Sequence, residues 1–520
     1  MACWLNLGQI LKVNAKKFPQ TVALKDCDRG LTYPDLNRRV NKLAHSLLAL
    51  GLKKGDKIAV LLENSIEIIE AFLAAAKTGI IIVPINFRLI SSDVEYITGN
   101  ADVKAFIVHD EFVGTVDPIR PQLPLIPADS FIVVGKPAPG YRTYDDFIAP
   151  AAENEPACEV FPGDTWILIY TSGTTGRPKG VVRTHESHIA FYLINAIDFG
   201  FNEHDVCMNV MPLCHINSTF FTFTFLYIGG SVYIHPARSF RAEEILEIVA
   251  REKITFISLI PTHYNLILNA PPEARTHDRS SIRKLLCSSA PVRKSMKLAI
   301  MEFFPDVQLY EAYGSTEAGI VTVLKPEYQM KKLGSIGFES LGTEFIKILD
   351  TEKTEVLAGQ VGELHSRGPM LFKEYYKLPE KTAGAFHNGW VSAGDMATRD
   401  EEGFYNIVDR KDNMIITGGE HVYPSEVEEA VGSHECVFDC AVVGLPDDKW
   451  GEKVAAVIIT KPGVNPADIT EKDIMECCRQ KLAGYKRPKE VIFISQEEMP
   501  RTPTGKILHR ILKERFRVKK

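Results

Sequence analysis

Short apolar runs of strand length alternate with segments of helical periodicity along much of this 520-residue chain. Residues 35–50 carry apolar side chains at helical spacing and end at Gly51, whereas residues 58–62 form an apolar run between polar neighbours. Residues 67–76 favour the next helix, and residues 79–84 favour the next strand. Such alternation predicts parallel strands covered by helices, an α/β architecture.

The alternation continues in residues 206–211, 243–257 and 282–304, and then the pattern changes. Between residues 334 and 408, short strand-like runs are separated by turn residues, which predicts a small β-rich subdomain. The polar segment 409–413 follows as a linker, and about 110 residues remain, enough for a small α+β domain. A single core would not hold so long a chain, because cores stop growing at about 250–300 residues.

The composition excludes several classes of protein. With 45% hydrophobic and 24% charged residues, the chain is neither a disordered protein nor a coiled coil. A net charge of −6 does not favour nucleic acid as a partner. No uncharged apolar run reaches about 18 residues, so we expect no transmembrane segment. The N-terminus lacks the pattern of a signal peptide, and ten scattered cysteines are sparse for a disulfide scaffold, so we expect a cytoplasmic protein.

A segment rich in Gly, Thr and Ser lies between a strand-like run and a Lys-Gly pair. The residues expected to contact phosphate are Thr171, Ser172, Gly173, Thr174, Thr175, Gly176 and Lys179. Glycines let the backbone approach an anion closely, and successive N–H groups can form an anion-binding concavity. The nucleotide P-loop ends in Gly-Lys-Ser or Gly-Lys-Thr, but here Pro178 precedes Lys179 and Gly180 follows it. We therefore predict a phosphate-binding loop of another kind.

This loop and the segments after it resemble motifs of the acyl-adenylate-forming superfamily, which includes acyl-CoA synthetases, luciferases and adenylation domains. The segments that carry the resemblance are residues 170–180, 212–215, 289–291, 313–317, 393–395, 409–412, 418–428 and 500–506. The one departure noted is Ala393, which stands where the family has Thr before Gly394-Asp395. Because the ordered set spans nearly the whole chain, the resemblance implies both a fold and a reaction.

The fold implied by the resemblance agrees with the α/β pattern and adds a division into domains. Residues 1–409 would form a large layered N-terminal domain, with parallel-rich sheets, helices and the small β-rich subdomain. Residues 410–412 would form a hinge, with Asp412 as its pivot, and residues 413–520 a small mobile α+β C-terminal domain. Two reactions at one site need different groups delivered, which gives the hinge a chemical reason.

The reaction implied is that of an AMP-forming carboxylic acid–CoA ligase. A carboxylate attacks the α-phosphate of ATP, acyl-AMP and pyrophosphate form, and the thiol of coenzyme A then displaces AMP. ATP, Mg²⁺ and coenzyme A are thus the expected cofactor and co-substrates. Preorganised donors and a metal ion suit the charge that builds on the phosphates, since one such donor is worth about 10²–10³ in rate.

The resemblance also implies roles for individual residues. Lys506 would be the catalytic lysine of adenylation, Thr316 would donate to the α-phosphate, and Glu317 would be the magnesium ligand. His215 would lie beside the acyl pocket, and Gly418 and Gly419 would line the path of the CoA thiol arm. Tyr313 would stack on adenine, and Asp395 would bind the ribose hydroxyls. The remaining nucleotide-binding residues would be Ser289, Ala290, Pro291, Gly314 and Arg410.

The acid itself is left open by the sequence. Candidate pocket residues are His215, Asn217, Phe220, Thr262, His263, Tyr264 and Ser288. This aromatic and polar mixture favours a short or medium-chain, cyclic, aromatic or polar acid over a long fatty chain. Two segments, residues 211–220 and 271–272, resemble crotonobetaine/carnitine-CoA ligases as well as medium-chain and aromatic acid–CoA ligases, so a carnitine-like acid stays open.

Other functions and assemblies stay open as well. A stand-alone adenylation enzyme would hand the acyl group to a carrier protein, and a luciferase-like oxygenase would consume O₂. A nucleotide sensor without catalysis would need damaged motifs, whereas Lys506, Glu317 and the loop are present. The assembled state could be a monomer or a homodimer.

Overall fold

The computed structural model describes residues 6–171, 177–236, 238–288, 292, 294–461, 463–464, 470–479, 481–501 and 507–517. Contacts divide the chain into two units. The first unit comprises Met1–Ile346 and Ser366–Val391, and the second comprises Lys347–His365 and Ser392–Lys520.

The helices and strands follow one another in the alternating order that the sequence predicts. The helices are α1 (Ile10–Lys17), α2 (Tyr33–Ala49), α3 (Ile66–Thr78), α4 (Ser91–Asn100), α5 (Val113–Val116), α6 (Tyr144–Ile148), α7 (His185–Asp198), α8 (Ile216–Ile228), α9 (Ala242–Glu252), α10 (Pro261–Leu268), α11 (Lys294–Phe303), α12 (Pro379–Ala385), α13 (Pro424–Gly432), α14 (Glu471–Arg479) and α15 (His509–Arg517). The strands are β1 (Val22–Lys25), β2 (Gly30–Thr32), β3 (Lys57–Leu61), β4 (Ile81–Pro84), β5 (Val103–His109), β6 (Phe131–Val134), β7 (Arg142–Thr143), β8 (Thr165–Thr171), β9 (Lys179–Thr184), β10 (Val206–Asn209), β11 (Ser231–Ile234), β12 (Phe256–Leu259), β13 (Lys284–Ser288), β14 (Gln308–Ser315), β15 (Gly319–Leu324), β16 (Phe338–Glu339), β17 (Lys347–Leu349), β18 (Gly362–His365), β19 (Glu374–Tyr375), β20 (Phe386–His387), β21 (Trp390–Val391), β22 (Asp395–Arg399), β23 (Tyr405–Arg410), β24 (Ile415–Thr417), β25 (Glu420–Val422), β26 (Val437–Asp447), β27 (Gly451–Thr460) and β28 (Glu490–Phe493).

Two mostly parallel sheets form the frame of the first unit. One has the strand order β16-β15-β14-β13-β12-β10-β11-β1-β2, and the other has the order β19-β9-β8-β4-β3-β5-β6-β7. In each sheet the inner strands pair in parallel, and antiparallel pairs lie towards the ends, such as β8 with β9 and β14 with β15. The predicted α/β class with parallel-rich sheets is therefore confirmed.

The core of the first unit is built around helices that are apolar on nearly every side. All residues of α3 are buried, as are the Phe and Thr side chains of α8, a burial pattern typical of helices inside a large core. Phe72 of α3, Trp166 of β8 and Phe223 of α8 meet with ring centroids 5.3–5.7 Å apart. Gly229 ends α8 at a φ of 92°, where a Cβ atom would lie 2.2 Å from the ring of Phe18.

The second unit contains two sheets of its own. Strands β17, β18, β22 and β23 pair in antiparallel fashion, and a second sheet has the order β25-β24-β27-β26 with β28 parallel to β27. Helix α13 and helix α14 contribute Val427, Val431 and Ile474 to a core with Val442 and Val454. The small α+β domain predicted near the C-terminus is thus present as a folded module.

The β-rich stretch predicted between residues 334 and 408 has its strands, but they do not form one sheet. Strand β16 joins the first large sheet, and β19 pairs with β9 in the other. Strands β17, β18, β22 and β23 belong to the second unit. The sequence pattern identifies strands but not their partners, because pairing depends on chain segments far away. The boundary at residues 410–412 and its hinge stay predictions.

Two whole-chain expectations bear on the described residues. Within the described parts of the chain, no helix is long and apolar enough to cross a membrane. The nine described cysteines are free thiols, and no group of three His, Cys, Asp or Glu residues there could hold a metal ion. Cys440 is buried, and its thiol donates to the backbone oxygen of Glu428 at 3.4 Å.

Candidate active site

The predicted phosphate loop connects the antiparallel strands β8 and β9. Thr171 at the end of β8 lies opposite Lys179 at the start of β9, so the two strands fix both ends of the loop. The carbonyl oxygen of Pro178 accepts a hydrogen bond of 3.1 Å from the Tyr96 hydroxyl, which anchors the segment before Lys179. The loop residues Ser172, Gly173, Thr174, Thr175 and Gly176 lie outside the described residues.

Lys179, Glu317 and Tyr375 form a closed polar cluster at the base of this loop. The Lys179 ammonium lies 3.1 Å from Oε1 of Glu317 and donates to the Tyr375 hydroxyl at 2.7 Å. The Tyr375 hydroxyl in turn donates to the same Oε1 at 2.8 Å. Glu317 and Tyr375 are buried, whereas the Lys179 side chain is 24% exposed, so the carboxylate is shielded from bulk water and the cation is partly accessible. The cluster places a cation and a carboxylate, two of the groups expected to contact ATP and its metal, at one point.

The turn between β14 and β15 brings Glu317 to this cluster. A Cβ atom on Gly314 would lie 2.1 Å from the carbonyl oxygen of Gly319, so only glycine allows the two strands to approach here. The Ser315 hydroxyl accepts a 3.0 Å hydrogen bond from the Ala318 N–H, which closes the turn. Tyr313 and Thr316 are partly exposed on either side, where a nucleotide could reach them.

Two further contacts hold this turn from outside. Arg183 donates to the carbonyl oxygen of Thr316 at 2.8 Å, and the N–H of Phe372 donates to the carbonyl oxygen of Glu317 at 2.7 Å. Neither Arg183 nor Tyr375 was identified from the sequence. Tyr375 is 196 residues from Lys179 and 58 from Glu317, and no local spacing connects the three. The sequence shows Arg183 only as a charged residue near the centre of the strand that follows the loop.

The donor set around Glu317 fits Mg²⁺. This ion prefers one or two protein carboxylates together with phosphate oxygens and water. Oε1 of Glu317 is occupied by Lys179 and Tyr375. Its second oxygen, Oε2, would hold the metal ion, and substrate phosphates would supply further ligands.

Three of the predicted acyl-pocket residues, His215, Asn217 and Phe220, lie at the start of α8. His215 is the residue before α8, and its Nε2 is buried without a hydrogen-bond partner among the described residues. Burial lowers the pKa of His215 to about 4, and the positive charge of Arg88 contributes further, so the imidazole is neutral near pH 7. Nε2 of a neutral imidazole can accept or donate one hydrogen bond, depending on the tautomer.

A short hydrogen-bonded chain of side chains lies beside His215. Asn217 donates to the Ser288 hydroxyl at 3.0 Å, and the Ser258 hydroxyl donates to the Asn217 amide oxygen at 3.1 Å. Ser258, at the middle of β12, was not among the residues predicted from the sequence. The chain joins α8, β12 and β13 and fixes the orientation of the Asn217 amide.

The other predicted pocket residues differ in their surroundings. Phe220 is buried and stacks on Phe191 with centroids 3.6 Å apart, and the His263 ring stacks on Phe240 at 4.1 Å. Thr262 is exposed. Tyr264 is fully buried and donates to the carbonyl oxygen of Leu286 at 3.0 Å, which favours packing against β13 over contact with the acid. Contact of the acid with these residues stays a prediction.

In the second unit, the predicted ribose-binding residue is paired across two strands. Asp395 of β22 lies opposite Arg410 of β23, and Nε of Arg410 is 2.9 Å from Oδ1 of Asp395. Arg410 also donates to the carbonyl oxygen of Ala393 at 2.6 Å. Asp395 is buried, and Gly394 before it has a φ of 84°. Arg410 thus orients the carboxylate that would accept hydrogen bonds from a ribose.

The predicted hinge and CoA-path residues also lie in the second unit. Asp412 is exposed in a short 3₁₀ turn, Lys411–Asn413. Gly418 and Gly419 have φ angles of 60° and 85° in the turn between β24 and β25, so the turn itself explains both glycines. The predicted nucleotide-binding residues Ser289, Ala290 and Pro291 and the catalytic Lys506 lie outside the described residues.

Lys179, which follows the Gly-rich segment in the sequence, is thus paired with the buried Glu317 carboxylate in the unit built on the two large sheets. The family model for the AMP-binding enzyme matches residues 11–376, and that for the AMP-binding enzyme C-terminal domain matches residues 426–506. The chain therefore belongs to the AMP-binding enzyme family, and the predicted superfamily is confirmed.

Several characterised proteins are similar to this chain over nearly its full length. Long-chain-fatty-acid–CoA ligase FadD13 of Mycobacterium tuberculosis is 34% identical, with 98% of each chain covered. Feruloyl-CoA synthase of Amycolatopsis sp. is 33% identical, with 96% of this chain and 97% of that protein covered. The crystal structure of the anthranilate CoA ligase AuaEII in complex with anthranoyl-AMP has a TM-score of 0.90 at 30% identity, covering 99% and 98% of the two chains. These similarities confirm the predicted class of enzyme, an AMP-forming acyl-CoA synthetase, and leave the acid open.

Proposed function

We propose that this protein activates a short or medium-chain, cyclic or aromatic carboxylic acid that carries a polar group and transfers it to coenzyme A. ATP, Mg²⁺ and coenzyme A are the co-substrates and metal ion of this class of enzyme. The observation that supports the proposal is the Lys179–Tyr375–Glu317 cluster, in which a cation lies 3.1 Å from a buried carboxylate, the two kinds of group that phosphates and a metal ion would require.

The first half-reaction requires charge to be stabilised on the α-phosphate and on pyrophosphate. A lysine ammonium has three N–H donors, and two of those of Lys179 point to Tyr375 and Glu317, which leaves one for a phosphate oxygen. We assign to Thr316 a hydrogen bond to the α-phosphate and to Glu317 the binding of Mg²⁺. When bound, the metal supplies neutralisation of the phosphate charge.

The nucleotide and the acid are oriented by separate groups. Asp395, held by Arg410, would accept hydrogen bonds from both ribose hydroxyls, while Tyr313 would stack on adenine. His215, which is neutral at pH 7, would border the acid without adding a positive charge. Lys506 would contact carboxylate and phosphate oxygens during adenylation, and the path past Gly418 and Gly419 would admit the CoA thiol.

The Asn217 network supports an acid with a hydrogen-bonding substituent. An amide has two N–H donors and two acceptor sites, and the contacts with Ser288 and Ser258 use one of each. A hydroxyl, amino or carbonyl group on the acid could take the others. A long alkyl chain could not, and it would leave these polar groups without water or partner, which costs about 1–3 kcal/mol per group.

The test is acid-dependent release of AMP with ATP, Mg²⁺ and coenzyme A across a panel of acids. We expect benzoates with hydroxyl or amino substituents to exceed unsubstituted benzoate and palmitate; hexanoate, ferulate and carnitine complete the panel. Thioester formed with free CoA but not with a phosphopantetheinyl carrier protein excludes the carrier-loading alternative. Absence of O₂ uptake and light with the acyl-AMP excludes the oxygenase. If no acid releases AMP, the ligase proposal fails.

Asn217→Leu tests the acid class directly. Losing one hydrogen bond of about 0.5–1.5 kcal/mol should lower kcat/KM for the substituted acid roughly 2- to 10-fold and leave the unsubstituted acid unchanged. Thr224→Val on the same helix is the matched control, since the Thr224 hydroxyl only bonds to the carbonyl oxygen of Phe220. An equal fall for both acids would contradict a recognition role for Asn217.

A homodimer is also part of the proposal. Light scattering of the protein in solution measures its oligomeric state.

A further inference from the structure

Arg183 is a fully buried arginine on β9, four residues after Lys179. Residues four apart on a strand point to the same face of the sheet, so the side chains of Arg183 and Lys179 share a face. Charged side chains are rarely buried so completely unless they are paired. The role of Arg183 therefore has to be sought in what its guanidinium holds.

The guanidinium joins two separate chain segments. Nη1 donates to the carbonyl oxygen of Thr316 at 2.8 Å, and Nη2 donates to the carbonyl oxygen of Met370 at 2.7 Å. The group also lies 4.9 Å from the centroid of the Phe220 ring. Two parallel donors in a rigid plane suit arginine, and no other side chain can reproduce this fork. Arg183 thus links the turn that carries Glu317 to the segment that leads to Tyr375.

This arrangement is energetically expensive as a purely structural device. Both acceptors are uncharged carbonyl groups, and Nε is buried with no hydrogen-bond partner among the described residues. Burial lowers the pKa of Arg183, which expresses how poorly the site solvates the charge. The effective penalty for a buried ion is several kcal/mol, and apolar residues of similar volume often replace buried charges without loss of stability.

The linked peptide is the one on which the proposed chemistry depends. The Thr316 carbonyl is fixed by Arg183, and the next carbonyl, that of Glu317, accepts from the Phe372 N–H at 2.7 Å. With two successive carbonyls fixed, the Cα–Cβ bonds from which the Thr316 hydroxyl and the Glu317 carboxylate project are held in place. Donors and metal ligands act efficiently only when their orientation is preorganised.

We infer that Arg183 is a positioning residue that sets the directions of the Thr316 hydroxyl and the Glu317 carboxylate for adenylation. This inference rests on the proposed function, because it assigns Arg183 to the same site. Arg183 does not touch the substrate or the metal ion. It acts through the Thr316 peptide and through the segment that carries Tyr375.

The test compares Arg183→Met and Arg183→Lys with a matched control. Arg279 also donates to main-chain carbonyls, those of Phe303 at 2.6 Å and Arg275 at 2.9 Å, and lies 4.3 Å from the ring centroid of Phe303. Arg279→Met therefore removes a similar carbonyl-binding arginine from a part of the first unit that does not hold the Glu317 turn. Any general effect of losing such an arginine appears in this control.

The measurements are the Mg²⁺ dependence of acid-dependent ATP–pyrophosphate exchange and the thermal shift caused by MgATP. We expect Arg183→Met to raise the Mg²⁺ concentration for half-maximal exchange about 10- to 100-fold, with the KM of the acid changed far less. Arg183→Lys keeps the charge, but its single nitrogen atom cannot reproduce the fork that reaches both carbonyl groups. Its Mg²⁺ concentration for half-maximal exchange should therefore fall between those of Arg183→Met and wild type. Arg279→Met should keep the wild-type Mg²⁺ dependence.

The positioning role of Arg183 and the ligase function would be contradicted by different results. A folded Arg183→Met enzyme with wild-type Mg²⁺ dependence of exchange and of the MgATP shift would overturn the positioning role and leave the ligase intact. If Arg183→Met does not fold, the Mg²⁺ dependence of Arg183→Lys decides in the same way. If wild type shows the MgATP shift but no acid supports exchange, the ligase proposal fails while the shift still tests Arg183. No MgATP shift in wild type would overturn both.

Discussion

At the scale of single residues, the most consequential contact is the one between Tyr375 and Glu317. Tyr375 receives a hydrogen bond from Lys179 and passes one to Oε1 of Glu317, so its hydroxyl sets the distance between cation and carboxylate. The Lys179 ammonium also lies 3.9 Å from the centroid of the Tyr375 ring. The contributions of the hydroxyl and of the ring can be separated experimentally, because phenylalanine at this position keeps the ring and lacks the hydroxyl.

Tyr375→Phe should slow adenylation about 10- to 100-fold, because residues that orient a metal ligand have effects of this size. Glu317→Gln, which removes the proposed metal ligand itself, should lower the rate by roughly 10²–10³. Single-turnover formation of acyl-AMP measures both. Tyr376→Phe is the control, since the hydroxyl of this neighbouring tyrosine donates to Asp102 at 2.9 Å and not to the cluster. Equal losses in Tyr375→Phe and Tyr376→Phe would count against the cluster.

The sequence predicts part of this cluster and misses the rest for a physical reason. Lys179 and Glu317 belong to local motifs whose residue types fit phosphate and metal binding. Tyr375 lies in no such motif. The pairing of β19 with β9 brings it to Lys179, and the hydrogen bond from the Phe372 N–H to the Glu317 carbonyl oxygen brings its segment to Glu317. Arg183 resembles an ordinary strand residue until its side chain is seen between two carbonyls.

At the scale of elements, the sequence predicts most helices and strands because their patterns are local. The expected helix at residues 35–50 is α2 (Tyr33–Ala49), and the expected strand at residues 58–62 is β3 (Lys57–Leu61). Residues 217–227 could be assigned to either class, since Thr and Phe alternate as in a strand. They form α8, where the Thr224 hydroxyl bonds to a carbonyl oxygen of the same helix and the helix needs no polar face.

Helix α7 carries an acid-sensitive pair, His185 and His188. Burial lowers the pKa of His185 to about 3 and that of His188 well below its ordinary value. The unfolded chain therefore binds protons below about pH 6.5 that the folded chain does not bind. These two histidines should lower the free energy of unfolding as pH falls from 7 to 5, by up to about 1.4 kcal/mol per pH unit for each.

His188→Gln should reduce this pH dependence. The melting temperature of the variant should fall less than that of wild type between pH 7 and pH 5, even if the variant is less stable at pH 7. His204→Gln serves as the control, because the His204 side chain is 81% exposed. Identical drops in melting temperature for wild type and His188→Gln would show that His188 is not a source of acid sensitivity.

At the scale of the whole molecule, the residues proposed to bind the nucleotide and its metal ion are divided between two folded units. Lys179, Glu317 and Tyr375 belong to the first unit, whereas Asp395 and Arg410 belong to the second. The segment after Arg410 is tied down by Asp409, which accepts from the Asn413 side chain at 3.1 Å and from the Ser425 N–H at 2.9 Å. Asp412 itself is exposed between these anchors, which is consistent with the proposed pivot.

Asp412→Pro should slow thioester formation more than adenylation. Proline fixes φ near −65°, so a pivot that must change its backbone angles would be held in one pose. Single-turnover assays of acyl-AMP formation and of its conversion to thioester separate the two steps. Asp412→Ala removes the carboxylate but leaves φ unrestricted, and it should keep both rates near wild type. Unchanged conversion of acyl-AMP in Asp412→Pro would refute the pivot role.

The long separation between β9 and β19 also affects how the protein is made. Lys179 leaves the ribosome 196 residues before Tyr375, an interval of about 10–40 s at roughly 5–20 residues per second. During this time the edge of β9 that later binds β19 has no partner, which exposes a site for aggregation on the nascent chain. The cluster is completed only when most of the chain has been translated. Nascent chains that end before residue 375 should therefore depend on chaperones and should lack a complete nucleotide site.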